Sequence, residues 1–150
     1  MLESLSNSVF VGRHDRALDA KHRLAVPAEW RNMVEDSRLF ILPGINKKCL
    51  EVLTSTEMND RIQNLKASKE QGAKKKLLMR WVAENASMVT FDAQGRIRLS
   101  EAQMQHAGIE KDVVMSGAFS YFEIRSQEEH AAQSAVDEGD LAAIAEAFDF

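Results

Sequence analysis

One short grammar occurs twice in this chain, and it restricts the fold more than any other feature. Leu18-Asp19-Ala20-Lys21-His22-Arg23-Leu24-Ala25-Val26-Pro27 sets an acidic residue at the start of a tight turn and a basic residue four places later. The same order returns at Phe91-Asp92-Ala93-Gln94-Gly95-Arg96-Ile97-Arg98-Leu99. Asp19 answers Asp92, Arg23 answers Arg96, Leu24 answers Ile97 and Val26 answers Leu99, all at an offset of 73. The chain reads as a duplication, so its fold has to accommodate two like halves.

The second copy explains the unit. Asp92-Ala93-Gln94-Gly95 suits a type I turn, with Asp first to bond nearby backbone N–H groups and Gly last. Gly95 in the left-handed region then completes a three-residue hairpin connection with its bulge. Arg96 leaves the turn at the start of the returning strand. In the first copy His22 stands where Gly95 stands. His tolerates positive φ less well than Gly, so the first turn is expected to be either slightly strained or of a different type.

Charge is distributed unevenly, and that bears on partners. The net charge of −4 argues at first against nucleic acid. Residues 126–150 hold seven acids (Glu128, Glu129, Asp137, Glu138, Asp140, Glu146, Asp149) and no Lys or Arg. Setting those seven of 23 acids aside leaves 16 against 19 basic groups on residues 1–125, a balance of +3. An acidic tail on a mildly basic body is compatible with a polyanionic partner, because local fields decide such binding. At 150 residues and 45% apolar, the chain can bury a real core. No run approaches a membrane span. The first eight residues lack a basic n-region and an apolar h-region, so no signal peptide is expected, and they read as frayed. Cys49 is the only cysteine, which excludes an internal disulfide and fits a reducing cytoplasm.

In order along the chain, Ser8–Gly12 reads as a short strand, Arg13–Arg16 as a charged strand, and Pro27 opens a short helix with Trp30, Met33 and Val34 on its apolar side. Trp30 is read as core. Leu39–Leu42 and Cys49–Leu53 are strands, with Cys49 packed rather than reactive. Thr54 and Glu57 form a capping box for a helix through Met58, Ile62 and Leu65, which Gly72 interrupts. Lys74-Lys75-Lys76 is read as a solvated face ahead of an apolar stripe, Leu77, Leu78, Trp81 and Val82. The second copy starts at Ala86. Ser100 and Gln103 form a further capping box, and Gly108 ends that helix. Val113–Gly117 and Phe119–Ile124 are strands, and Ser126 with Glu129 repeats the cap. The final helix, strongest over Leu141–Phe148, is expected either to dock on a neighbour or to fray.

Phe10-Val11-Gly12, Leu18–Arg31, Leu39–Leu53, Arg80–Ala86 and Asp92–Ile97 together resemble the MraZ family of bacterial transcriptional regulators. The resemblance covers residues 8–130 and leaves out the tail. It implies an α+β fold with a mainly β core: a duplicated AbrB-like swapped-hairpin β-barrel, forming an intrachain pseudo-dimer with flanking helices. On that reading residues 8–54 are the first repeat, 55–85 connecting helices, 86–130 the second repeat and 131–150 an acidic helix or tail. Membership also implies ring-shaped homo-oligomers, binding to repeated promoter sites of the division and cell-wall gene cluster, and a cytoplasmic, nucleoid-associated location. Lys21 corresponds to the family's basic residue within the first motif. His22 replaces the usual glycine and Ser100 the usual proline.

The expected function is therefore sequence-specific binding of double-stranded DNA, not catalysis, with no cofactor, metal, membrane or small-molecule substrate. Arg13, Lys21, Arg23, Arg96 and Arg98 are the candidate DNA-binding residues, reaching phosphates and base edges. Asp19, Asp92 and Gly95 are assigned to the turns. Whether each Asp is purely structural or also orients its Arg stays open, as does whether the second copy touches DNA at all. Two other classes compete. One is a scaffold or antitoxin-type protein that captures a protein through its acidic tail. The other, much less favoured, is a hydrolase using His14, Asp15 and Asp19 around a metal.

Overall fold

The architecture comes from a computed structural model, which describes residues 9–69 and 72–150. Its first half runs β1 (Arg13–Ala17), β2 (Arg23–Ala25), α1 (Ala28–Arg31), β3 (Arg38–Pro43), β4 (Leu50–Thr54), α2 (Ser55–Ala67). Its second half runs α3 (Gly72–Asn85), β5 (Ser87–Thr90), β6 (Arg96–Arg98), α4 (Glu101–Ala107), β7 (Asp112–Gly117), β8 (Tyr121–Ser126), α5 (Gln127–Asp137). A 3-10 turn at Glu138–Asp140 leads into α6 (Leu141–Ala147). The fraying expected of residues 1–8 lies outside the described residues.

The class is α+β with antiparallel pairing throughout. Six strands form one sheet in the order β1-β7-β8-β4-β3-β5, and β2 pairs with β6 in a separate two-stranded ribbon. Exchanging the first four strands for the last four leaves this order unchanged. At the centre of the exchange, Glu51 faces Glu123 in the sheet and Leu24 faces Ile97 in the ribbon. A closed barrel was expected, and the strands do not make one. β2 and β6 are three residues long and spend their pairing on each other, while β1 leaves its corner to pair with β7. The hairpins expected at the corners are thereby reduced to their closing bonds, Asp19 N–H to Arg23 O and Asp92 N–H to Arg96 O.

Burial follows the apolar pattern. Phe10, Trp30 and Phe122 meet at centroid distances of 4.8–5.6 Å in the centre of the main core, beside Leu24, Ile97 and Leu99. Trp30 is core, as the sequence implied. A smaller cluster of Leu42, Leu53 and Met58 lies under α2 and α3, with Phe40, Ile62, Trp81 and Val82 at its margin. The stripe predicted on α3 is only partly covered, since Leu77 remains 60% exposed and no residue of that helix is buried.

Several boundaries differ from expectation. The first strand begins after Gly12, and Phe10 makes an isolated bridge to Phe119 instead. That bridge explains Gly117: a Cβ there would lie 2.3 Å from the Phe10 carbonyl oxygen. The break after α2 falls at Ser68, which turns extended, and Gly72 opens α3. Ser100 and Gln103 form the reciprocal capping box. Thr54 accepts the Glu57 N–H, but the Glu57 carboxylate accepts from Arg61 Nε at 2.8 Å. Arg61 also reaches the buried Glu51 at 2.6 Å, so a guanidinium bridging two carboxylates, rather than the Thr54 N–H, is the donor that Glu57 takes. The tail makes two helices, with the break at Glu138–Asp140.

Candidate nucleic-acid interface

The two corners are built alike, bond for bond. Asp19 Oδ1 accepts the N–H groups of Lys21 and Arg23, each at 2.9 Å, while Oδ2 accepts Arg23 Nε at 2.7 Å. Asp92 Oδ1 accepts from Gln94 and Arg96 N–H at 2.9 Å, and its Oδ2 from Arg96 Nε at 2.9 Å. Each carboxylate therefore divides its work, one oxygen closing the turn and the other aiming an arginine. The structural and orienting roles, left as alternatives by the sequence, coexist. These donors, the Arg23 N–H foremost, hold the Asp19 carboxyl down to about 2 against the opposing effect of desolvation. Asp92 is lowered for the same reasons, the Arg96 N–H foremost.

The ribbon then joins the corners. Its register sets Arg23 against Arg98, Leu24 against Ile97 and Ala25 against Arg96. Leu24 and Ile97 are buried, which turns the alternate residues Arg23, Arg96 and Arg98 to the opposite face. Leu99 N–H donates to His22 O and Val26 N–H to Gly95 O, so each strand is stitched to the other copy's turn. Arg98 Nε reaches Lys21 O at 3.1 Å, and Arg96 Nη1 lies 3.3 Å from Asp19 Oδ2. Lys21, Arg23, Arg96 and Arg98 are thus gathered on one surface; Lys21 and Arg98 are exposed, Arg23 and Arg96 half-buried. Arg13 is not with them. It opens β1, six residues from Asp19 or about 20 Å of extended chain, and pairs with Asp15 at 3.0 Å.

The first turn has the same type as the second, with strain as the outcome. His22 stands at φ +61, in the left-handed region that Gly95 occupies at φ +76. The copies also differ in what covers them. The Arg31 guanidinium lies over Gly95, so that a Cβ there would come within 2.4 Å of Arg31 Nη1, which donates to Val26 O at 2.8 Å. Arg31 had no distinguishing signal in the sequence; 64 residues separate it from the glycine it covers.

The competing chemistry is not assembled. The ring of His14 meets Trp30 edge-on at 4.9 Å and its Nε2 lies 3.5 Å from Glu29, while Asp15 serves Arg13. Among the described residues no three His, Cys, Asp or Glu are grouped to hold a metal, and no helix is long and apolar enough to cross a membrane. Cys49 is buried, and burial pushes its thiol up to about 11, away from the reactive thiolate. Lys74 and Lys76 are exposed on α3, and Lys75 Nζ caps the carbonyl of Lys66 in the last turn of α2.

Comparison with known proteins converges on one family. A family model described as "MraZ protein, putative antitoxin-like" matches residues 82–149. The match runs through the tail, which the resemblance seen in the sequence had left out. The transcriptional regulator MraZ of Limosilactobacillus fermentum is 32% identical over 141 residues, covering 94% of this chain and 97% of its own. Its counterpart from Oleidesulfovibrio alaskensis is 35% identical, with 88% and 90% covered. That of Thermomicrobium roseum is 32% identical, with 84% and 87% covered.

Proposed function

The chain belongs to the MraZ family, and from that premise we propose that it is a sequence-specific DNA-binding regulator of transcription, acting on repeated promoter sites of the division and cell-wall gene cluster as a ring-shaped oligomer. The observation that carries the reading is the single surface on which Lys21, Arg23, Arg96 and Arg98 converge from both copies. Lys21 and Arg98 contact phosphates. Arg23 and Arg96, each aimed through Nε by its aspartate, present their terminal nitrogens to guanine edges in the major groove. Arg13 meets a phosphate outside the corner. Both copies take part, because their arginines alternate along one ribbon.

The exchange symmetry of the strand order supports an AbrB-like swapped-hairpin pair within one chain, divided at 8–54 and 86–130 with helices 55–85 between and the tail 131–150 after. Four cations on one protomer bind weakly, and joining protomers along repeated sites raises avidity without new contacts. Such a regulator works in the cytoplasm on the nucleoid. The test is fluorescence anisotropy with the DNA upstream of the chain's own gene, titrated with salt, alongside a duplex whose repeat spacing is scrambled. Affinity should fall linearly on a log–log salt plot, with a slope near −0.9 per phosphate contacted, and should drop when spacing is scrambled. Affinity indifferent to both would overturn the proposal. A second reading, capture of a protein partner by the acidic tail, draws on the exposed Leu141 and Ile144 of α6 and Phe148 at its C-cap.

A further inference from the structure

The helical side of the molecule carries an apolar groove of about 480 Å³ between α2 and α3, floored by Phe40 and Leu42 of β3 and walled by Met58, Ile62, Leu78 and Val82. At one end its helices carry Lys66, Lys75 and Lys76. The same chain bears an exposed apolar stripe elsewhere. On α6 and its last turn, Leu141, Ile144 and Phe148 follow a spacing of three and four that sets them on one helix face, and Phe148 is 79% exposed. Asp140, Glu146 and Asp149 flank that stripe, and no Lys or Arg occurs after Arg125. α6 lies against the 3-10 turn that follows α5, while α5 is anchored on β7 and β8, away from the β3 and β5 end of the sheet where the groove lies.

We propose that the groove between α2 and α3 receives α6 of a second copy of this chain. Stripe and groove match in kind, since an aliphatic–aromatic ridge enters an aliphatic–aromatic trough. They also match in charge, the acidic helix meeting the lysines at the mouth of α2 and α3. The lengths are compatible, the seven residues of α6 forming about 10 Å of helix beside α2 and α3 of 13 and 14 residues. Because one surface inserts into a different one, the contact is head-to-tail, the kind that closes into a ring when the rotation between copies permits. The inference deepens the assembly named under the proposed function and rests on it.

The full-length chain tests it by native mass measurement and light scattering. A tail variant, Ile144→Glu with Phe148→Glu, and a groove variant, Leu78→Glu with Val82→Glu, each alter positions at the surface or its margin. Each should retain the parent's circular dichroism and lose the parent's mass, with self-association at least tenfold weaker. Mixed one to one, they should recover pairs, since the groove variant still offers an intact tail and the tail variant an intact groove. Raising salt should weaken the parent's assembly. A parent that assembles while either variant keeps its mass, or a mixture that stays as single protomers, would overturn the inference and leave the assembled regulator standing. A parent that is itself a single protomer, including one whose own α6 folds back into its groove, would overturn both.

Discussion

Asp19 in the first copy holds Arg96 of the second through the same carboxylate oxygen that takes its own Arg23: Arg96 Nη1 stands 3.3 Å from the Oδ2 that also accepts Arg23 Nε at 2.7 Å. The two corners are therefore not independent fingers. One aspartate positions an arginine from each copy, so a change at that carboxylate is felt on both sides of the ribbon.

Acid should reveal this carboxylate. Its folded pKa of about 2 lies below the ordinary 3.8, so the unfolded chain binds a proton first. The stabilisation is complete above pH 4 and is lost as pH falls through 2. Asp92, shifted in the same direction, adds to the same window. Denaturant midpoints measured from pH 5 to pH 2 should fall steeply for the parent and more shallowly for Asp19→Asn, which starts from a lower stability.

DNA affinity should separate two kinds of contact. If Arg23 reads bases as proposed, Arg23→Ala should cost about 1–3 kcal/mol, roughly tenfold to a hundredfold, with relaxed preference among sites. Lys21→Ala should weaken all sequences alike and reduce the salt slope by about 1. Gel shifts at two salt concentrations distinguish them. If Arg23→Ala binds as tightly as the parent at moderate salt, that assignment is wrong.

The turns should respond oppositely to substitution. Gly95→Ala places a side chain in the left-handed region and under Arg31, and should destabilise by more than the roughly 1–2 kcal/mol of backbone strain alone. Adding Arg31→Ala should return the part due to crowding, which a double-mutant cycle in urea reads directly. His22→Gly relieves strain but loosens the unfolded chain, so a gain below about 1 kcal/mol is expected.

Helix caps offer a further comparison. Ser100→Ala should cost about 1 kcal/mol, lowering the melting temperature by about 2–4 °C. Gln103→Ala should share that loss, because the box is reciprocal and its Nε2 also binds Ser87 Oγ at 2.7 Å. Glu57→Ala should act differently, releasing Arg61 from one of its two carboxylates rather than uncapping α2.

The recurring corner was legible in the residues because a turn is closed by bonds spanning four positions, so Asp, Arg and the left-handed fourth residue carry its whole geometry locally. The caps at Ser100 and Ser126, the burial of Trp30 and the inertness of Cys49 were legible for the same reason: each depends on near neighbours or on apolar character alone. Partnership between strands is a different matter. That β1 deserts its corner for β7, that the ribbon stays apart from an open sheet, and that Arg31 covers Gly95 are outcomes of competition among distant segments for the same buried surface. The stripe on α3 shows the limit most plainly, since its spacing announced an apolar face, but only the packed chain decided that α2 and β3 would cover part of it and leave Leu77 in water. Local bonding wrote the corners; the division of a shared core among far-separated strands decided where they point.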